Sequence, residues 1–255
     1  ILDGKKYDLK ISNNYQLANF IKKSNYVFFL AYETGGSKYL KKYQNSSKFI
    51  LNNLSIMINT FKLLAKYKKP FLFASSQMSN MSYSNYGLLK LIGEKISRDL
   101  NGNSVKFWNV YGIENDLQKS HVITDFVLMA LKNKKIKMLT DGSESREFLH
   151  AEDCSRGMEI IMKKHNKFKH QKKELHLTTG KKTKIVDIAK IVQKISNQNN
   201  LKVKIVKGKK KDVVQKNKKN KYNYYLHKFW KPKTNINLGI KEIYNYHKSN
   251  ILNEN

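Results

Sequence analysis

Two serines, a tyrosine and a lysine in the first half of the chain have the types and spacing of a proton-transfer site. Phe71-Leu-Phe-Ala-Ser75-Ser76 is an apolar run that ends in hydroxyls; Tyr86 follows ten residues after the second serine, and Lys90 four residues after that. On a helix, residues four apart share a face, so this spacing sets the Lys90 ammonium near the Tyr86 oxygen. A neighbouring cation favours phenolate and lowers the phenol toward neutrality, which makes it a base. Ser76, at the carboxyl end of a buried parallel strand, lies where open sheets bind ligands and can hydrogen-bond the same substrate oxygen. The bare Tyr-x-x-x-Lys spacing also occurs at Tyr224/Lys228 and Tyr244/Lys248. Those two are read as surface helix, because their neighbours are polar and no serine-ended strand precedes them.

The elements that must position these residues alternate along the chain. An apolar run over 26–31 is read as a buried parallel strand. A helix is expected over 49–67, where Phe49, Ile50, Leu54, Met57, Ile58, Phe61 and Leu64 recur by threes and fours. Pro70 closes it, and 71–74 is the next strand. Helix over 86–100, strand over 105–111, helix over 123–131, strand over 136–139 and helix over 153–164 follow. The pattern ends with strand 175–178, helix 185–195, strand 203–206 and helix 240–248. Such alternation predicts an α/β fold, a doubly wound Rossmann-like parallel sheet with a smaller C-terminal α/β substrate domain. The division expected is 1–112 with 146–180 for a partial dinucleotide-binding domain, and 113–145 with 181–255 for the substrate domain.

Composition narrows the class. The 255 residues are 40% hydrophobic, a globular balance long enough for a sizeable core. No apolar run approaches the roughly 18 residues of a membrane span, and no secretory pattern opens the sequence, so a cytoplasmic protein is expected. Cys154 is the single cysteine, which excludes an internal disulfide and a cysteine metal cluster; no metal site is expected. The net charge of +31 would suit nucleic acid. Yet only Arg98, Arg146 and Arg156 among 50 basic residues are arginine, the residue that reads nucleic acid by bidentate contacts. Lysine and asparagine share AT-rich codons, so codon usage accounts for the charge better than a nucleic-acid partner does. The lysine-dense runs 163–173 and 202–221 are read as solvated helix ends or loops.

With its neighbours, the Ser-Tyr-Lys set resembles the extended short-chain dehydrogenase/reductase family, the NAD-dependent epimerases and dehydratases of nucleotide sugars. Val27-Phe-Phe-Leu-Ala31 with Gly35-Gly36 is similar to that family's "HLAA..GG" segment, and Asn53 with Asn59 to its "N-x5-N" helix. Ser75-Ser76 with Tyr86 and Lys90 matches its catalytic set, and Asn109-Val-Tyr-Gly112 its "NVYG". Asp141-Gly142 with Arg146-Glu-Phe-Leu-His150-Ala-Glu-Asp153 resembles "GDG..R.F.HV.D", and Phe229-Trp-Lys-Pro232 before Gly239 resembles its C-terminal "LGWKP…GI". The resemblance covers nearly the whole chain. It implies Ser76, Tyr86 and Lys90 as catalytic residues. It implies Asp8, Ala31, Tyr32, Gly35, Tyr86 and Lys90 along NAD or NADP, NAD favoured, with Asp8 facing the adenine. Asn109 and Arg146 would contact a nucleotide-sugar substrate; an arginine fork suits a diphosphate, although Arg146 could instead anchor a turn and Asn109 could be a core amide. His150 and Asp153 are read as helix-start and packing groups. A homodimer through the helices at 49–67 and 86–100 is also implied.

Two departures shape the expected function. The family's dehydratases carry Asp-Glu directly after the catalytic serine or threonine, and here those positions hold Gln77-Met78, which cannot transfer protons in that way. A nucleotide-sugar epimerase acting by transient oxidation of a sugar hydroxyl is therefore expected. A 4,6-dehydratase, a keto-sugar reductase and a basic nucleic-acid binder rank below it. No G-x-G-x-x-G turn occurs, and Gly35-Gly36 is the only adjacent glycine pair. The chain is accordingly expected to lack its first βα unit plus a strand, on the order of 40 residues. This keeps an inactive remnant that binds a sugar nucleotide or a partner as the alternative.

Overall fold

A computed structural model describes residues 8–169, 173–211 and 221–253, so parts of the two lysine-dense runs fall outside the described residues. The chain opens with α1 (Tyr15–Lys23), β1 (Val27–Phe29), α2 (Ser37–Tyr43), α3 (Ser47–Tyr67) and β2 (Phe71–Ser76). Next come α4 (Asn85–Asp99), β3 (Asn103–Phe107), β4 (Asn109–Tyr111), α5 (Val122–Asn133), β5 (Lys135–Lys137) and β6 (Ser145–His150). The rest comprises α6 (Ala151–Lys163), α7 (His165–Phe168), β7 (Leu175–Leu177), β8 (Lys182–Lys184), α8 (Ile185–Gln198), β9 (Lys204–Val206) and α9 (Ile236–Asn253). No helix among the described residues is long and apolar enough to cross a membrane.

The expected α/β class holds. β1, β2, β3 and β7 form one sheet in that order, and every pairing in it is parallel. All six residues of β2 are buried, as a central strand covered on both faces requires. Its register sets Ser75 beside Lys106 and Ser76 beside Phe107. α3 begins where the Ser46 hydroxyl accepts the Phe49 amide at 3.2 Å and stops at Lys68, whose φ of 47° is left-handed, two residues before Pro70. Phe49, Met57, Phe61 and Leu64 on its buried face pack with Phe29, Phe71 and Phe73 of the sheet. Each such side chain contributes about 1.5–3 kcal/mol on burial. A second core gathers Val127, Ile188, Val192, Ile240, Ile243 and Tyr244 from α5, α8 and α9. A third holds Leu72, Val105, Leu149, Leu177, Trp230 and the buried Cys154.

Two expectations are corrected. The single strand expected over 105–111 is two strands in different sheets. The Trp108 amide still bonds Leu177 O, at 3.4 Å, but Asn109 already pairs with Phe148 in the sheet β4-β6-β8. Nor is Tyr244/Lys248 surface helix throughout: Tyr244 is 1% exposed, because α9 is covered by α5 and α8 on that side. Tyr224, 51% exposed, does stay at the surface.

Candidate active site

The site is assembled at the carboxyl end of β2. There the Ser76 hydroxyl accepts the Met78 amide at 3.1 Å and starts a 3₁₀ turn over Gln77–Asn80. The Ser84 hydroxyl caps α4 by accepting the Gly87 amide at 3.1 Å. α4 lies so close to the turn that a Cβ on Gly87 would stand 2.1 Å from Met78 O. This approach brings Tyr86, 9% exposed, close to Ser76 and Thr34, whose hydroxyls act on its phenol. Of the serines at 75, 76 and 79, Ser76 is thus the one brought to the phenol. Ser75 bonds the Glu94 carboxylate, and Ser79 Oγ is buried without a partner.

Lys90 lies one turn further along α4, and its surroundings differ from expectation. Its ammonium donates to Ala74 O at 2.6 Å. It sits 3.6 Å from the centroid of the Tyr32 ring and 5.7 Å from that of Tyr86. The shared helix face brings the two residues together, but the lysine stem reaches back to the β2 backbone instead of to the phenol oxygen. Burial pushes the Tyr86 phenol up, and hydrogen bonds with Thr34 and Ser76 pull the other way. Burial pushes Lys90 down to about 7, opposed by the Glu94 carboxylate. Desolvation, which disfavours each charged form, outweighs the mutual attraction expected from spacing.

The segment after β1 runs past this pair. The Tyr32 ring meets Tyr86 edge-on at 5.8 Å, and Tyr32 Oη is buried with no hydrogen-bond partner. Asn53 of α3 holds the segment, accepting the Glu33 amide at 2.8 Å and donating to Glu33 O at 3.2 Å. Asn59, six residues on, donates to Leu9 O at 3.0 Å, so both asparagines fasten backbone. Gly35 and Gly36 pack against the loop before α5: the Gly36 amide bonds Lys119 O at 3.0 Å, and a Cβ on Gly36 would stand 2.3 Å from Ser120 O. Ala31 is partly buried and packs beside the core under β1. Asp8 lies in the turn before α1, where it accepts the Lys10 amide at 2.9 Å.

Asn109 and Arg146 are brought together. Both line a cavity of about 360 Å³ with Lys38, Phe126, Lys137 and Lys210. Asn109 donates to Glu147 O at 3.4 Å, and Arg146 to Ser145 O at 2.9 Å. Asp153 accepts the amides of Lys233 and Thr234 at 3.0 and 2.8 Å, and buried His150 lies 3.3 Å from Glu242. These two fix the C-terminal segment, as their packing reading requires. Among the described residues no group of three or more His, Cys, Asp or Glu is placed to hold a metal ion. Thr34, Glu94 and Lys106 were missed by sequence reasoning; the one signal for Glu94 was its position four residues after Lys90.

Comparison with known proteins supplies the family and the shared fold. The model of a family described as "NAD dependent epimerase/dehydratase family" matches residues 3–175. GDP-L-fucose synthase of Sinorhizobium fredii is 26% identical over 179 residues, covering 65% of this chain and 55% of that protein. The chain spans about half the length of the curated relatives it matches. Among solved structures, an epimerase of Methanothermobacter thermautotrophicus superposes with a TM-score of 0.79 at 18% identity, over 96% of this chain and 78% of that one. UDP-glucose 4-epimerase of Thermotoga maritima, solved with UDP-glucose, gives 0.75 at 19% identity, over 95% and 83%. At these identities the superpositions establish a shared fold.

Proposed function

Because the chain belongs to the NAD dependent epimerase/dehydratase family, we propose that it carries the catalytic part of a nucleotide-sugar epimerase working by transient oxidation of a sugar hydroxyl. The observation that carries this reading is the buried Tyr86 beside Ser76 at the end of a parallel strand, with Lys90 one turn away. The relatives' names support the substrate class: one is a GDP-L-fucose synthase, and one solved structure holds UDP-glucose.

In this reading Ser76 holds the oxygen of the reacting hydroxyl, and Tyr86, acting from its ionised form against the burial that raises its phenol, takes and later returns its proton. Asn109 and Arg146 hold the nucleotide portion in the 360 Å³ cavity, where an arginine fork suits a diphosphate. The residues fit a nicotinamide dinucleotide: a buried ammonium, a phenol and the unpartnered Tyr32 Oη stand together where a hydroxyl-rich ribose would need donors and acceptors. Lys90, Tyr86, Tyr32, Ala31 and Gly35 would hold it, with Asp8 on the adenine side; NAD is favoured over NADP. A cofactor held there would supply the hydride acceptor and donor. Gln77 and Met78 supply no acid–base pair, which disfavours dehydration. Residues 1–112 and 146–180 form the cofactor half, and 113–145 and 181–255 the sugar-nucleotide half. A cytoplasmic homodimer through α3 and α4 belongs to the same reading.

One observation favours a second reading, a sugar-nucleotide binder without turnover: the Lys90 ammonium faces Ala74 O and the Tyr32 ring, not the Tyr86 oxygen. The two are separated by incubating the chain with NAD or NADP and a panel of UDP- and GDP-sugars, following epimers by NMR. The first expects turnover of one sugar, reduced at least ~10²-fold in Tyr86→Phe; near-normal turnover in that variant overturns the mechanism. Binding of a sugar nucleotide with no turnover supports the second.

A further inference from the structure

Beneath Lys90 lies a polar cluster, buried at Glu94 and Lys106 and reaching the surface at Glu174, that the proposed reaction does not use. Glu94, 8% exposed, lies one helical turn beyond Lys90 on the same face of α4. One of its oxygens bonds the Ser75 hydroxyl. The other faces Lys106 Nζ of β3 at 3.7 Å. The Lys106 side chain, 4% exposed, also meets Glu174 at 2.5 Å and Asn80 Oδ1 at 2.9 Å. Glu174 in turn lies 3.0 Å from His176. Two ammonium groups and two carboxylates are thus gathered behind the serine-ended strand.

We infer that Glu94 is a positioning residue: its carboxylate, shared with Lys106, stands one helical turn from the buried Lys90 ammonium as its counter-charge and pins Ser75, and with it the strand end that presents Ser76. This rests on the reading of Lys90 and Ser76 as parts of the reacting site. Tyr86 faces Lys90 from α4, Tyr32 from the segment after β1, and the Ala74 carbonyl from β2; Glu94 is the buried carboxylate one turn further along the same face of α4, and Lys106 acts on Lys90 through it. Among these only Glu94 carries a negative charge. An ammonium 3% exposed would shed its proton to escape desolvation unless an anion stood close. Burial does depress Lys90, and Glu94 is the group that opposes it. Lys106 competes for the same carboxylate, so the two lysines are set against each other.

The competition gives a test with two opposite signs. The 255-residue chain, labelled with ¹³Cε-lysine, is titrated by NMR, and the Lys90 signal is identified by its loss in Lys90→Met. Glu94→Gln is expected to lower the Lys90 midpoint by about one pH unit, as removing a nearby counter-charge does. Lys106→Gln is expected to raise it, because Glu94 is then unshared. A purely structural disturbance would not move the two variants in opposite directions. An unmoved midpoint in folded Glu94→Gln overturns the inference. If Glu94→Gln shows no cooperative melt, Lys106→Gln decides alone: a rise supports the inference, and no change or a fall overturns it. The titration needs no turnover, so an absence of epimerisation in the wild type counts against the proposed reaction and leaves this result standing on its own.

Discussion

Glu174 is the residue on which charge and stability are most directly linked. Its hydrogen bond with His176, aided by Lys106, holds the carboxyl down to about 2 from the ordinary 4.5. Between those values the unfolded chain binds more protons than the folded one, so the stabilisation is complete above pH 4.5 and is lost as pH falls toward 2. Glu174→Gln should therefore melt below the wild type at pH 6, and the gap should close through this acid window; thermal melts across a pH series check it. A gap that is constant with pH would place the effect in packing. The reacting residues Ser76, Tyr86 and Lys90 were legible because their chemistry is written in residue type at helical spacing. Their partners were not. Thr34 reaches Tyr86 from another segment, and Glu94 meets Ser75 and Lys106 only through the β2–β3 register. Spacing alone also overstated the pull of Lys90 on Tyr86, since it carries no information on desolvation.

Among the elements, α4 is seated directly on backbone. Gly87 lets its first turn rest on the backbone of the 3₁₀ turn, where a Cβ would come within 2.1 Å of Met78 O. A backbone carbonyl cannot yield as a flexible side-chain end can. Gly87→Ala should cost about 1–3 kcal/mol of overpacking and displace Tyr86 from Ser76. Chemical denaturation measures the first effect; the second would appear as a changed ultraviolet titration of the phenol. Full stability in that variant would refute the close approach. Long helices such as α3 and α8 were legible from apolar residues recurring by threes and fours. The short α1, α2 and β8 were not, nor was β6, because β6 and β8 hold their place by pairing Arg146 with Thr183 across the sheet, a contact between distant segments. The apolar run 105–111 announced a strand but not its division between two sheets at Trp108.

At the scale of the whole molecule, the outer faces of α3 and α4 leave Leu51, Ile58, Leu88 and Ile92 between 39% and 60% exposed. On a chain of net charge +31, self-repulsion opposes association, so a dimer must draw on such apolar contacts. Sedimentation velocity should find a wild-type dimer, and the double substitution Leu88→Lys/Ile92→Lys should give a monomer of unchanged helix content. A monomeric wild type would refute the dimer. Cys154 adds a property of the same scale. It is the chain's one cysteine, carried on α6 and buried in the core with Leu72, Leu149 and Leu177, and burial pushes its thiol up to about 12. A thiol so placed does not meet an alkylating reagent while the core is closed. The speed at which a native sample is alkylated therefore records how often that core opens, and the protein carries its own clock for the event.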